Sequence, residues 1–152
     1  MTDNIKNTLD HLTKFSEPEL WLGKPILDNR LEEFEKTIGY KLPTDFKIIL
    51  KKYNGFSLMS TEVNGIGSEL RDSSLDRLYH MEHEEVENPM PKEFLPFSPD
   101  GQGNHYCLDL SRLENEICPV VFWQHDYEYP DLGEVETCND SFTVWIENVM
   151  IT

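Results

Sequence analysis

Leu95-Pro-Phe-Ser-Pro-Asp-Gly-Gln-Gly-Asn-His-Tyr-Cys-Leu-Asp-Leu110 joins two apolar runs through a turn of specific composition. Leu95 to Phe97 and Tyr106 to Asp109 read as strands, while Asp100, Gly101, Gly103 and Asn104 tolerate positive φ or bond to their own backbone. The stretch predicts a β-hairpin, and no chemistry is required to explain it. Two ligand templates fail at named positions. Asp100, Gln102 and Asn104 imitate the first, third and fifth places of a calcium loop, but His105 stands where glycine is needed and Ser111 where a bidentate glutamate is. Gly101-x-Gly103 lacks the third glycine and the following helix of a dinucleotide turn, and its acidic surroundings repel phosphate.

Upstream of the hairpin the apolar period is helical. Ile5, Leu9, Leu12 and Phe15 draw one stripe; Leu27, Leu31, Phe34 and Ile38 draw a second, with Asp28 placed to cap it and Gly39 to end it. Pro43 suits the first turn of a third helix, whose face is Phe46, Ile49, Leu50 and Tyr53 and whose stop is Asn54-Gly55. From Phe56 the pattern breaks into short apolar pieces: Phe56 to Met59, Val63 to Ile66, Leu95 to Phe97, Tyr106 to Asp109 and Pro119 to Gln124, read as strands of one sheet. Residues 68–90 are polar and acidic, with Leu70, Leu75, Leu78 and Met81 too sparse to fix a structure, and read as an exposed insertion carrying a helical turn. Phe142, Trp145, Ile146 and Val149 then return to helical spacing behind a capping Asp140-Ser141. Helices, then strands, then a helix give an α+β class: a single domain over 1–152, with a mostly antiparallel or mixed sheet flanked by N-terminal helices and a C-terminal helix.

A chain of 152 residues, 38% hydrophobic with three tryptophans, supplies a core without a metal or disulfide. Cys107, Cys118 and Cys138 form an odd set without CxxC spacing and read as free thiols of a reducing compartment. With no apolar run of membrane length and no leader pattern at its start, the expected location is cytoplasmic. The net charge is -16. Its placement is lopsided, because residues 1–60 hold nine acids and nine bases whereas residues 61–152 hold twenty acids against Arg71, Arg77, Lys92 and Arg112. Such a field repels nucleic acid and anionic membranes and steers a basic protein partner, although acidic excess also serves solubility alone.

The order of pieces carries a family resemblance. Gly39-Tyr-Lys-Leu-Pro43, then Thr44-Asp-Phe-Lys-Ile-Ile-Leu-Lys-Lys-Tyr-Asn-Gly55, then the hairpin, then Pro119-Val-Val-Phe-Trp-Gln-His-Asp126, resembles the SUKH superfamily, which includes cell-wall assembly regulators of the Smi/Knr type and bacterial immunity proteins. The likeness covers about residues 27–150. It implies a compact α+β fold used for protein binding, with no catalytic motif. The residues that carry it are Leu42, Pro43, Asn54, Gly55, Pro96, Asp100, Gly101, Gly103, Asn104, Tyr106, Leu108, Asp109 and Trp123, most of which have structural explanations.

The candidate partner-binding residues come from composition. They are Glu82, Glu84, Glu85 and Glu87 in the insertion, and Asp126, Tyr127, Glu128, Tyr129, Asp131, Glu134 and Glu136 after the last strand: carboxylates to steer a basic partner, tyrosines to bury area against it. Trp123 and Trp145 sit in apolar patterns and read as core, whereas Trp21 reads as exposed. The expected function is an immunity protein that binds and neutralises a cognate toxin domain, basic and of nuclease type, by direct contact. A regulatory scaffold of the Smi/Knr type is the alternative. The third reading is a small hydrolase using Cys107 with His105 or His125, or a metal enzyme using His80 and His83. Against it, nothing basic surrounds Cys107 and the histidines do not form an HExxH pair. No cofactor, metal, nucleic acid, membrane or small-molecule ligand is expected.

Overall fold

Phe97, in the middle of the opening stretch, organises the molecule. A computed structural model describes residues 3–67 and 74–151. The predicted hairpin forms from β4 (Phe94–Pro99) and β5 (His105–Asp109), antiparallel, with Leu95 opposite Leu108 and Pro99 opposite His105. The register slips between Pro96 and Ser98, leaving Phe97 as the extra residue of a bulge. Its fully buried ring meets Phe46, Phe142 and Trp145 edge-on, with centroids 6.1, 5.3 and 4.9 Å away. Two helices and the hairpin thus share one aromatic cluster.

The helices follow the stripes. α1 (Asp3–Leu12) buries Ile5, Leu9 and Leu12; α2 (Asp28–Ile38) buries Leu31, Phe34 and Ile38 and ends at Gly39 with φ 81°; α3 (Thr44–Lys52) buries Phe46, Ile49 and Leu50. Asp28 is not the cap predicted for it. Leu27 holds the N-cap position without a side-chain bond, and Asp28, in the first turn, reaches Lys51 Nζ at 3.0 Å instead. α5 (Phe142–Trp145) continues into a π turn, Ile146–Met150, and Ser141 caps it as expected, its Oγ accepting the Val144 N–H at 3.2 Å.

The single sheet expected is in fact two antiparallel sheets. β1 (Leu20–Leu22), β2 (Phe56–Leu58) and β3 (Thr61–Val63) form one; β4, β5, β6 (Val120–Trp123) and β7 (Glu136–Asn139) form the other, in that order. They meet at β3 and β4, where Asn64 N–H donates to Phe97 O at 2.8 Å and the Ser98 hydroxyl to Glu62 O at 2.5 Å. β7, Glu-Thr-Cys-Asn, is too polar to stand out by periodicity, and β1, Leu-Trp-Leu, is a three-residue piece flanked by Pro18 and Pro25. The third strand runs over 61–63 rather than 63–66, since Gly65 closes onto Asn54 and leaves extended pairing. Asn54 explains the Asn-Gly stop: its side chain holds both Ile66 N–H and Ile66 O at 2.7 Å, standing in for a missing strand.

The four-stranded sheet is covered on both faces. Leu95, Phe97, Leu108 and Val120 belong to the main core, which runs from Ile5 to Met150; Phe94, Cys107, Val121 and Trp123 face a smaller cluster closed by Met90 and Val135, against which Tyr129 packs. The acidic segment helps to cover this sheet, which corrects the expectation of an exposed insertion over 68–90. Residues 68–73, Leu70 among them, lie outside the described residues, but α4 (Leu75–His80) packs against β4, and the π turn that continues it (Met81–Glu85) brings Glu82 to within 3.5 Å of His105 on β5. Leu75, Leu78, Glu82, His83 and Met90 are buried.

Candidate partner-binding surface

The acidic residues predicted as a binding surface come from two segments, and a single amide joins them. Asn88 donates through Nδ2 to His125 O at 3.2 Å and to Tyr127 O at 2.9 Å, tying the end of the 82–88 segment to the loop after β6. That loop is anchored by aromatics. Trp123 is buried at the end of β6, Tyr129 lies 4.8 Å from it and Tyr127 4.6 Å from Tyr129. The Tyr129 hydroxyl accepts Gln124 N–H at 3.1 Å, and burial raises its pKa above the ordinary value.

The hairpin turn supports the same loop from below. Asp100 Oδ1 accepts the N–H groups of Gln102 and Asn104 at 2.8 and 3.0 Å, with Gly101 and Gly103 at φ 86° and 93°. Asn104, fixed in this way, offers Oδ1 to both the backbone N–H and the Nδ1 of His125, at 3.1 and 2.8 Å. His125 lies so close over Gly103 that a Cβ there would stand 2.8 Å from its ring. The turn's residues therefore position the acidic loop.

The carboxylates differ in availability. Glu84 is paired with Lys92, which lowers its pKa through a hydrogen bond and charge, and Glu85 lies 3.3 Å from His80. Glu87, Asp126, Glu128, Asp131, Glu134 and Glu136 are exposed, and none is ion-paired among the described residues. Tyr127 is 45% exposed and Tyr129 half-buried, so the first presents a ring face and the second supports it.

Glu82 does not belong to this surface, contrary to expectation. It is buried with its Oε1 3.5 Å from His105 Nε2, and burial raises its carboxyl above the ordinary range. His105 is buried too, its pKa lowered by desolvation, and its Nδ1 has no partner. Glu82 stands four residues after the buried Leu78 and seven after Leu75, so it continues the inward face of α4; composition alone reads it as one more surface carboxylate.

The residues of the catalytic alternatives are divided between interior and surface: Cys107, His105 and His83 are buried, His80 and His125 exposed. Cys107 is fully buried beside Met90 Sδ, 3.9 Å away, and burial, with Glu82 and Asp109 nearby, holds its thiol well above the ordinary pKa. His80 is exposed, whereas His83 is buried with its two ring nitrogens on Tyr79 O and Pro91 O, at 2.5 and 2.9 Å. They do not converge. Among the described residues no group of three or more His, Cys, Asp or Glu is placed to hold a metal ion, and no helix is long and apolar enough to cross a membrane.

Comparison with known proteins agrees with this architecture. The chain is similar to the SPbeta prophage-derived uncharacterized protein YokK of Bacillus subtilis (strain 168), 24% identical over 129 residues that cover 68% of this chain and 65% of that protein's length. A SUKH model, that of the SMI1-KNR4 cell-wall family, matches residues 28–146, from the first residue of α2 to the start of the last π turn. Family and structure share the same span of scaffold, and the chain belongs to the SMI1-KNR4 family of the SUKH superfamily.

Proposed function

We propose that this chain is a cytoplasmic immunity protein, without enzymatic activity, that binds and neutralises a basic toxin domain of nuclease type through the acidic loop face. The observation that carries the reading is the union of two acidic segments by Asn88 beside a Tyr127–Tyr129–Trp123 aromatic cluster, which offers unpaired carboxylates around an aromatic anchor. Family membership supports protein binding as the mode of action, and the similarity to a prophage-derived protein supports a setting of genetic conflict. Exposed carboxylates accelerate encounter, while the tyrosines bury area once contact is made.

Co-expression with a toxin domain encoded beside this chain tests the reading. Rescue of growth and a complex that survives purification are expected; equal killing with and without the chain, and no complex, refutes it. Replacing Glu87, Glu128 and Glu134 with Lys should slow association by about tenfold at low salt and flatten its salt dependence, because steering falls steeply with ionic strength. The family's cell-wall designation favours one second reading, a regulatory scaffold. Affinity capture from the source cell would then return several endogenous partners and no toxin.

A further inference from the structure

The three-stranded sheet has an outer face that neither the core nor the acidic loop uses. Strand register sets Trp21, Ser57 and Glu62 opposite one another there, one from each strand, while Leu20, Phe56, Leu58 and Val63 are buried on the inner side. A recess of about 140 Å³ opens between them. Gly55 and Gly65 contribute to its lining. Gly65 is pressed so close to Asn54 that a Cβ would meet its backbone at 2.6 Å, and Gly55 has φ 88°, so neither position readily accepts a side chain that would fill the space.

The lining chemistry is specific. Trp21, a large indole, is 50% exposed on this face. Glu62 Oε1 is oriented by the Asn64 amide at 2.9 Å, and no cation among the described residues pairs with its carboxylate. Ser57 supplies a hydroxyl between them. An aromatic face, a carboxylate and a hydroxyl around a recess near the ~150 Å³ that accommodates a benzene ring suit a flat cation with several N–H donors. That is a guanidinium, which stacks on indole and hydrogen-bonds a carboxylate where an ammonium does only the latter well.

We propose that the Trp21–Ser57–Glu62 recess receives an arginine side chain of the protein partner, a second contact separate from the acidic loop. The inference rests on the reading of a basic protein partner and names one chemical group that the partner presents. The recess is also tied mechanically to the scaffold of the first surface, since Glu62 O accepts the Ser98 hydroxyl on the strand that leads into the Asp100–Asn104 turn.

N-acetyl-arginine-amide, titrated into the isotope-labelled full chain and followed by amide and indole resonances, tests this directly. Saturable millimolar shifts at the Trp21 indole, Ser57 and Glu62 are expected, with none at these positions from the uncharged citrulline analogue. Trp21→Ala and Glu62→Gln should each weaken binding by about three- to tenfold in a chain whose remaining spectrum is unchanged. Equal shifts with citrulline, non-saturating shifts, or indifference to both substitutions overturns the proposal; Glu62→Gln decides it should Trp21→Ala fail to fold. The partner complex separates the two readings. Binding that survives both substitutions but is lost on reversing Glu87, Glu128 and Glu134 removes the recess and keeps the acidic face, whereas arginine binding in a chain that captures no basic protein does the opposite.

Discussion

Replacing Asn54 with alanine should cost this protein a large part of its stability, although the residue touches no proposed partner. The side chain is 4% exposed, and its two polar ends satisfy Ile66 N–H and Ile66 O, each at 2.7 Å; Ile66 itself is 2% exposed. Alanine leaves both backbone groups buried. The N–H loses the Asn54 Oδ1 acceptor, while the carbonyl keeps a long contact to Arg30 Nη2 at 3.4 Å. At about 1–3 kcal/mol for each buried group left unsatisfied, and with the carbonyl partly relieved, the loss is about 2–5 kcal/mol. Against a typical ΔG of about 5–15 kcal/mol, that brings the fold near its threshold. Urea unfolding followed by tryptophan fluorescence gives the comparison, with the midpoint shifted and the slope unchanged, and melting should fall by roughly 5–15 °C. A midpoint within about 0.5 kcal/mol of the parent chain would refute the argument that Asn54 acts as a surrogate strand.

Three further outcomes follow from particular groups. In the folded chain a thiol reagent at mild pH should modify Cys138 alone, and slowly, because burial pushes its pKa up to about 11, while the buried Cys107 and Cys118 become reactive only on unfolding; rapid labelling of Cys107 would reopen the nucleophile reading. Burial raises the Glu82 carboxyl, so its linked stability is full below the ordinary value of 4.5 and is lost as pH rises through the folded value; Glu82→Gln should therefore gain on the parent as pH climbs toward neutrality, and a pH-independent difference in urea midpoint refutes this. Gly103→Ala places a Cβ 2.8 Å from the His125 ring at a φ of 93°, so it should loosen the acidic loop, seen as faster hydrogen exchange over 124–129 with exchange in α2 and α3 unchanged.

The helices and the hairpin were legible because their signals are local. Stripes such as Leu31, Phe34 and Ile38 repeat at helical spacing, and Gly39 ends its helix with the positive φ that glycine adopts readily. β7 was not, because Glu-Thr-Cys-Asn carries no apolar alternation, and β1 was not, because its three residues lie between Pro18 and Pro25 without a turn signal tying them to a partner strand. The exposure of most candidate residues was legible as composition: the structure places Glu87, Asp126, Glu128, Asp131, Glu134 and Glu136 outside, and Tyr127 with them. What composition could not supply was pairing over distance. Asn88 to Tyr127 spans 39 residues, and Glu82, on the same helical face as the buried Leu75 and Leu78, lies inward where composition alone reads a surface carboxylate.

The family-motif residues and the candidate contact residues divide the molecule by mechanism. Asn54, Gly55, Asp100, Gly103 and Asn104 spend their polar groups or their lack of a side chain on backbone geometry: Asn54 on Ile66, Asp100 on its own turn, Asn104 on His125. Groups committed in this way are not available to a partner. The side chains with uncommitted charge lie on loops and outer faces that these residues hold in position, namely the 124–136 loop above the turn and Glu62 on the strand beside Ser98. On the proposed function, a change of partner would proceed by substituting exposed carboxylates and tyrosines at small cost, of the order of 0.5 kcal/mol each, while the turns that present them stay fixed. That separation lets one scaffold carry different binding faces, and it makes the two faces independently testable: weakening the scaffold should change both together, whereas charge reversal on one should leave stability and the other face intact.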